Sequence, residues 1–351
     1  MLERLVESGE PQIARILDRA LEGRELSPAD AESLLKVEGP AFFALLAAAD
    51  RARIEDCGDE VSYVVNRNIK YTNLCAYKCT FCAFSKGKTT EDLRGAPYVL
   101  DLEEISRRTE EAWQRGATEV CLQGGIHPSY DGNTYLEICR AIKQALPDMH
   151  IHAFSPLEVY QGATTLGLSL ADYYKALKDA GLGTLPGTAA EILDDDVRKI
   201  LCPDKLTTDL WLEIIGDAHA QGLHTTATIM YRHIEQPVHS ARHLLRLRDL
   251  QARSLDRGRG KFTEFVPLPF VHMEAPMFLK SSTRKGPTFR EAVLLHAVAR
   301  LALNPVIPNI QVSWTKMGLP GVKACLTSGA NDLGGTLMNE SISRAAGASV
   351  G

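Results

Sequence analysis

The sequence predicts an α/β fold of the TIM type, a (β/α)8 barrel preceded by a helical extension. Short strand candidates alternate with helices from residue 61 onward, and there are eight of them. The helices carry recognisable starts and stops, such as Asp101 before one helix and Gly116 after it. Alternation of strands and helices is typical of a parallel sheet, and eight strands are enough to close such a sheet into a barrel.

Residues 1–60 are predicted to form the helical extension, and residues 61–351 the barrel. Apolar residues recur at helical spacing in the first segment of the extension. Ser27-Pro28 supplies the N-cap and the first residue of a second helix, and Ala41–Ala49 form a third. No residue of the extension carries chemistry, so we interpret it as a packing element rather than as a cap over the barrel.

The predicted barrel strands are short and alternate with predicted helices. They are Asn68–Asn73, Glu119–Gln123, His150–Phe154, Gly183–Leu185, His224–Ile229, Phe262–Pro267, Asn309–Trp314 and Gly329–Leu333. The predicted helices between them show an amphipathic pattern. The first follows Asp101, and the others span Thr134–Leu146, Leu170–Ala180, Asp209–Gln221, His239–Arg253 and Thr288–Leu303. Glu104 is expected to complete a capping box with Asp101. Ser254–Gly260 is predicted to be a loop.

The predicted architecture has a functional consequence. Active sites of (β/α)8 barrels lie on the loops that follow the carboxyl ends of the strands. Cys75–Cys82 follow the first strand, Gly124-Gly125 the second, Ser155 and Glu158 the third, and Pro186–Glu191 the fourth. We therefore expect these four segments to meet on one face of the barrel.

Composition excludes several classes of protein. The chain has 351 residues, 45% of them hydrophobic, and a formal net charge of −5. The mild negative charge argues against a nucleic-acid partner, and the basic stretch from Arg242 to Lys261 is interpreted as a solvated helix face. No apolar run approaches the roughly 20 residues needed to span a bilayer, and no signal peptide is visible. We therefore expect a cytoplasmic protein without membrane contact.

Cys75, Cys79 and Cys82 form the strongest motif of the chain. A cubane iron–sulfur cluster normally takes four thiolates, so three leave one iron open to bind and reduce S-adenosylmethionine (SAM). A structural zinc site would need a fourth ligand, usually in a second paired knuckle, and the chain has no second Cys-x-x-Cys. A disulfide framework would need an oxidising compartment, and a chance cluster stays possible among 8 cysteines.

The triad, with Phe81 just before its last cysteine, resembles the signature of the radical SAM superfamily. Longer strings resemble one subfamily, the second subunit of FO synthase (CofH) of deazaflavin biosynthesis; they are Asn66–Ile69, Leu122–Pro128, Pro186–Ile192, Phe262–Phe270 and Gly329–Thr336. The resemblance runs from about Val61 to the C-terminus. It implies a radical SAM barrel with a [4Fe–4S] cluster held by three cysteines and an exchangeable SAM.

The resemblance also implies a SAM site. Gly124 and Gly125 are expected to contact the SAM amino group through their backbone, because Ile126 stands where the superfamily usually has an acidic residue. By similarity, Glu191 and Arg198 are predicted to bind SAM, with the Arg198 guanidinium on its carboxylate. An exposed ion pair is the alternative for these two residues. Phe81 and Ser155 complete the predicted cofactor site.

Four polar residues near strand ends are predicted to contact substrate; they are His127, His233, Asn331 and Asp332. For Asn331 and Asp332 the alternative is a cap on a terminal helix. His150 and His152 begin a strand and are therefore expected at the stable end of the barrel, away from chemistry.

The resemblance implies a reaction in which L-tyrosine gives its 4-hydroxybenzyl group to 5-amino-6-(D-ribitylamino)uracil. A partner radical SAM subunit, CofG, would then close the ring to FO, and an electron donor would reduce the cluster. The alternative enzyme is an aminofutalosine synthase of menaquinone biosynthesis. A ferredoxin-like carrier is a third hypothesis, but it needs four cluster ligands and a small fold.

Overall fold

The computed structural model describes residues 10–85, 96–280 and 283–347. The helices are numbered along the chain; they are α1 (Pro11–Leu21), α2 (Pro28–Leu34), α3 (Gly39–Cys57), α4 (Leu102–Gln114), α5 (Gly132–Ala145), α6 (Pro156–Leu166), α7 (Leu170–Asp179), α8 (Asp195–Leu201), α9 (Thr208–Ala220), α10 (Pro237–Arg257), α11 (Pro276–Leu279), α12 (Phe289–Leu303), α13 (Trp314–Leu326) and α14 (Ile342–Ala345). The strands are β1 (Ser62–Val64), β2 (Asn66–Lys70), β3 (Glu119–Gln123), β4 (His150–Ala153), β5 (Thr184–Leu185), β6 (His224–Tyr231), β7 (Phe262–Pro269) and β8 (Asp332–Gly335).

Six of these strands form one parallel sheet in the order β2-β3-β4-β5-β6-β7. The register places Lys70, the last residue of β2, beside Gln123, the last residue of β3. The α/β class is confirmed, and the predicted second to sixth strands lie where the sequence placed them. The first strand begins two residues earlier than predicted, at Asn66.

The remaining part of the ring is irregular. The predicted seventh strand, Asn309–Trp314, contributes only single bridges, from Ile310 to Phe265 and from Gln311 to Asp332. The eighth begins at Asp332 rather than Gly329 and pairs with the short strand β1, which the sequence did not indicate.

Two hydrogen bonds connect the segment after β8 to β2, the first strand of the six-stranded sheet. The Met338 amide donates to the Asn66 carbonyl (3.1 Å), and the Asn68 amide donates to the Met338 carbonyl (3.0 Å). The ring is thus closed through irregular pairing rather than through eight regular strands.

Helix ends follow local capping chemistry. Ser27 accepts from the Asp30 amide in a capping box, and Asp101 accepts from the Glu104 amide. The capping box predicted for Glu104 is wrong, because its carboxylate binds Arg107 and Arg108 instead. The loop predicted from Ser254 is also wrong, because α10 continues to Arg257. Helices α6, α8, α11 and α13 were not predicted.

The N-terminal helices belong to the main hydrophobic core. Leu17, Leu34 and Leu45, one from each helix, are fully buried in the same cluster as the sheet strands. This packing agrees with the interpretation of the extension as a structural element. The division of the chain at residue 60 stays a prediction, and residues 1–9 lie outside the described part. Within that part, no helix is both long enough and apolar enough to cross a membrane.

Arg300 on α12 ties the irregular part of the ring together. Its fully buried guanidinium donates to the Gly329 carbonyl (2.7 Å), the Pro308 carbonyl (2.5 Å) and the Asn331 amide oxygen (2.8 Å). A planar fork can reach three acceptors at once, whereas an ammonium cannot hold the same geometry.

We predict that Arg300→Lys lowers the free energy of unfolding by about 2–4 kcal/mol, because buried acceptors lose their charged donor. Urea unfolding measures the loss. Arg253→Lys, at an exposed position of α10, is the matched control. Equal stability of the two variants would contradict a structural role for Arg300.

Candidate active site

A cavity of about 360 Å³ opens among the loops that follow the carboxyl ends of the sheet strands. Its wall combines the cysteine loop after β2, the glycine pair after β3, the start of α6 after β4 and the loop after β5. Of the predicted site residues, eight line this one cavity; they are Cys75, Cys79, Phe81, Cys82, Gly124, Gly125, Ser155 and Glu191. The expected convergence of four loops is therefore present in the structure.

The backbone after these strands is unusual. All six non-glycine residues with positive φ in the described part follow the carboxyl end of a strand; they are Phe154, Ala189, Glu191, Arg232, Leu337 and Asn339. Residues held in this region cost free energy and concentrate at functional sites. The strand ends thus carry backbone conformations typical of a ligand-binding face.

The three motif cysteines are free thiols that line the cavity together. The Cys75 sulfur accepts from the Ile126 amide (3.3 Å), and the Cys82 sulfur accepts from the Ser85 amide (3.4 Å). Burial raises the pKa of the Cys79 thiol to about 12 and also raises that of Cys82. Thiolates at these positions therefore need a nearby positive charge, such as bound iron.

The donor set fits an iron–sulfur cluster. Amide donors already face two of the sulfurs, and such hydrogen bonds are a regular feature of cluster sites. No group of three or more His, Cys, Asp or Glu side chains in the described part is placed to hold a single metal ion. A cubane spreads its ligands over separate iron corners, so three spaced cysteines suit it better than they suit one ion.

Gly124 and Gly125 pack directly under the cysteine loop. A Cβ on Gly125 would overlap the Leu74 carbonyl, and one on Gly124 would overlap the Tyr71 ring. The Gly125 amide donates to the Thr72 carbonyl (2.9 Å), so the two loops are also joined by a hydrogen bond. Only glycine allows this approach of two backbones.

Glu158, which the sequence placed on this face without giving it a specific role, fixes this arrangement. Its buried carboxylate accepts from the Tyr71 hydroxyl, from the Gly124 amide (3.0 Å) and from the Ser155 amide (2.6 Å). Burial raises the pKa of Glu158, and these hydrogen bonds oppose the rise. The pattern Ser155-x-x-Glu158, a capping box before a helix, was the signal in the sequence.

Lys205 is a second residue that sequence reasoning missed. Its ammonium lies 2.8 Å from the Glu191 carboxylate and 5.4 Å from the centre of the Phe81 ring. Burial lowers the pKa of Lys205, but Glu191 and the neighbouring thiols reverse this and raise it. A permanent cation thus lies beside the cysteines, and a lone lysine in a loop gave no signal in the sequence.

Comparison with known proteins agrees with this geometry. The model of the radical SAM superfamily matches residues 69–246, and the CofH/MqnC C-terminal region matches residues 259–351. The chain belongs to the radical SAM superfamily. A [4Fe–4S] cluster and SAM are the cofactors that membership of this superfamily implies.

Two curated relatives illustrate the extent of similarity. The FO synthase of Streptomyces coelicolor is 50% identical over 93% of this chain, but the chain covers only 37% of that protein. A relative from Nostoc sp., named 5-amino-6-(D-ribitylamino)uracil–L-tyrosine 4-hydroxyphenyl transferase, is 48% identical over 95% of this chain and 86% of its own length. The chain therefore spans just over a third of the FO synthases that it matches and most of the Nostoc protein.

Solved radical SAM structures show the same fold at low identity. Methylornithine synthase superimposes with a TM-score of 0.68 at 19% identity, covering 93% of this chain and 87% of that one. The [FeFe]-hydrogenase maturase HydG superimposes with a TM-score of 0.73 at 17% identity, covering 95% and 70%. At identities this low, the structural similarity supports the assignment of the fold and no conclusion about activity.

The structure does not place Arg198 among the residues that line the cavity of the three cysteines. Its side chain is buried, and the guanidinium donates to the carbonyls of Leu206 (2.9 Å), Ala190 and Ile192 (3.3 Å). These carbonyls belong to the loops that carry Glu191 and Lys205. Arg198 therefore holds the wall of the cavity, and contact with SAM stays a prediction.

Three of the four predicted substrate residues lie outside both the cavity and the barrel interior below it. His127 stacks on Tyr130, with ring centroids 4.6 Å apart. His233 is fully buried, with its Nδ1 3.2 Å from the Glu235 carboxylate. Asn331 is buried against Arg300. Helical capping, the alternative for Asn331, is therefore not its role.

Asp332 lines a second space of about 430 Å³ together with His150 and His152. This space lies in the half of the barrel where β3 and β4 begin, which we call the lower half. Burial lowers the pKa of His152 to about 4, so this ring is neutral. Burial, together with Asp332 and Glu119, raises the pKa of Glu264 to about 8. The lower space is thus rich in protonated or neutral groups, away from the cysteines.

We predict that Gly125→Ala weakens cluster retention, because a Cβ at this position must displace the cysteine loop. Overpacking of this kind costs about 1–3 kcal/mol. Iron and sulfide content after anaerobic reconstitution, with the thermal unfolding midpoint, measures the effect. The matched control is Gly216→Ala, where a Cβ would lie 3.6 Å from Leu250 in ordinary contact. Full iron content in Gly125→Ala would contradict the prediction.

Proposed function

We propose that this chain transfers the 4-hydroxybenzyl group of L-tyrosine to 5-amino-6-(D-ribitylamino)uracil, as the second subunit of FO synthase. The observation that carries the proposal is the similarity to the Nostoc transferase, at 48% identity over 95% of this chain and 86% of that protein. The match to the CofH/MqnC C-terminal region supports it.

In this proposal Cys75, Cys79 and Cys82 would hold a [4Fe–4S] cluster that leaves room for SAM. Together the two cofactors would supply a 5′-deoxyadenosyl radical. The backbone of Gly124 and Gly125, which lines the cavity, receives the amino group of SAM. Glu191 and Lys205, on the same wall, face the cofactor as a buried ion pair.

The task of the protein is to hold one substrate bond close to the radical, because the radical itself has little preference among hydrogen atoms. Apolar residues that share the cavity with the cysteines suit the aromatic ring of tyrosine; they are Val266, Leu268, Trp314 and Leu333. The volume below them, which Asp332 lines, offers polar groups for a pyrimidine and a ribityl chain. His127, His233 and Asn331 then act by shaping the loops rather than by direct contact.

The proposal includes a partner. The described sequence carries one cysteine triad, and in this proposal a second radical SAM site, that of CofG, would complete the ring. A cytoplasmic location and a separate electron donor follow from the same proposal.

The test is product identification by mass spectrometry. We expect the reconstituted protein, with SAM and reductant, to form the hydroxybenzyl adduct from L-tyrosine and the ribitylaminouracil. Cys79→Ala should abolish both adduct and 5′-deoxyadenosine, whereas Cys139→Ala, a buried cysteine of α5, should keep both. Conversion of a chorismate-derived enolpyruvyl substrate, with no adduct from tyrosine, would overturn the proposal in favour of a menaquinone-pathway enzyme.

A further inference from the structure

Two lysines and one glutamate line the same cavity. Lys70 ends β2, Lys316 lies in the first turn of α13, and Glu340 follows β8, so three distant segments bring them to the same cavity. Lys70 is only 5% exposed and Glu340 only 6% exposed. Buried lysines are rare in proteins unless an anion accompanies them.

The hydrogen bonds of this cluster leave one lysine charge unmatched. Lys70 donates to the Gln123 amide oxygen (3.2 Å), and Lys316 donates to the Ser343 hydroxyl (2.8 Å). Both partners are neutral. Neither ammonium has a carboxylate within ion-pair distance in the described part of the chain, and Glu340 carries the one negative charge between the two.

The ionisation of the cluster reflects this balance. Burial raises the pKa of Glu340, but Lys70, Lys316 and the Ser343 amide outweigh it, and the net shift is downward. Burial lowers the pKa of Lys316, with Lys70 adding to the decrease and Glu340 opposing it. Glu340 is therefore ionised, while Lys316 lacks full compensation.

The other carboxylates of the cavity are already engaged. Glu191 pairs with Lys205 at 2.8 Å. Glu158 is enclosed by donors from Tyr71, Gly124 and Ser155. Neither forms an ion pair with Lys70 or Lys316 in the described part of the chain, so both ammonium groups lack a carboxylate partner.

We propose that Lys70 and Lys316 bind the α-carboxylate of the free aromatic amino acid substrate. One carboxylate supplies the missing negative charge, and an ammonium-to-carboxylate hydrogen bond is among the strong ones. The apolar residues Trp314 and Leu333 line the same cavity and give the aromatic ring a surface. This inference rests on the proposed function, since it takes tyrosine as the substrate.

The test compares ligands with and without the carboxylate. Equilibrium dialysis with reconstituted, unreduced protein gives the affinity for L-tyrosine and for tyramine, which lacks the carboxylate. We expect the wild type to prefer L-tyrosine by about 10-fold or more, the value of one charged hydrogen bond. Lys70→Met and Lys316→Met should each lose most of this preference, and Lys316→Arg should keep it.

Three controls make the result specific. Lys178→Met, whose ammonium donates to the Gln221 carbonyl at the surface, should retain the full preference. Iron content and the thermal unfolding midpoint identify variants that fail to fold, in which case Lys316→Gln replaces the methionine variant. SAM is also a carboxylate, so its affinity is measured on the same variants and should not change.

The outcomes separate the two hypotheses. Loss of SAM affinity with an intact tyrosine preference would assign the lysines to SAM and overturn this inference. A wild type that forms the adduct, with variants that keep the preference for L-tyrosine, would overturn the lysine assignment alone. A wild type that forms no adduct from tyrosine would overturn the proposed function itself.

Discussion

The contact between the cysteine loop and the Gly124-Gly125 backbone is the constraint on which the site depends. The loop after β2 and the turn after β3 approach so closely that a single Cβ would separate them. Glu158, from the next helix along the ring, accepts from Gly124 and Tyr71 and so ties three consecutive strand ends together. Burial of this carboxylate is costly, but three donors compensate it. The positions of the thiols are thus set by neighbouring backbone rather than by their own loop.

The lysines that line the two spaces lie in one of them. The upper cavity holds Lys70, Lys205 and Lys316 beside the cysteines, together with three glutamates, whereas the lower space holds Glu264 and Asp332 and is lined by no lysine of the described part. An anionic ligand can therefore find a cationic side chain in the upper cavity. Arg198 and Arg300 lie outside both spaces and hold loops through backbone carbonyls. Permanently charged guanidinium groups suit such structural tasks, while lysine ammonium groups, each with three rotatable donors, suit a ligand that comes and goes.

Much of the fold and part of the site could be predicted from sequence because the signals are local. The cysteine triad, the glycine pair and the alternation of strands with helices each depend on residues close together in the chain. The prediction of a regular seventh strand failed because the pairing of this segment is decided by its contacts with β7 and β8, not by its own residue pattern.

Arg198 was assigned to SAM by similarity, but similarity does not reveal what its side chain contacts, and the guanidinium donates to backbone carbonyls. Asn331 was expected to touch substrate, yet its amide is occupied by Arg300. Lys70 and Lys316 are more than two hundred residues apart in the sequence. That they line one cavity together with Glu340 is visible only in three dimensions.

Electron paramagnetic resonance of the reduced protein, recorded with and without SAM, tests the central claim that the three cysteines hold a cluster with one open iron. We expect a [4Fe–4S] signal whose g-values change when SAM is added and which is lost in Cys79→Ala. A cluster signal that SAM leaves unchanged would show that all four irons are already ligated, and would contradict the claim.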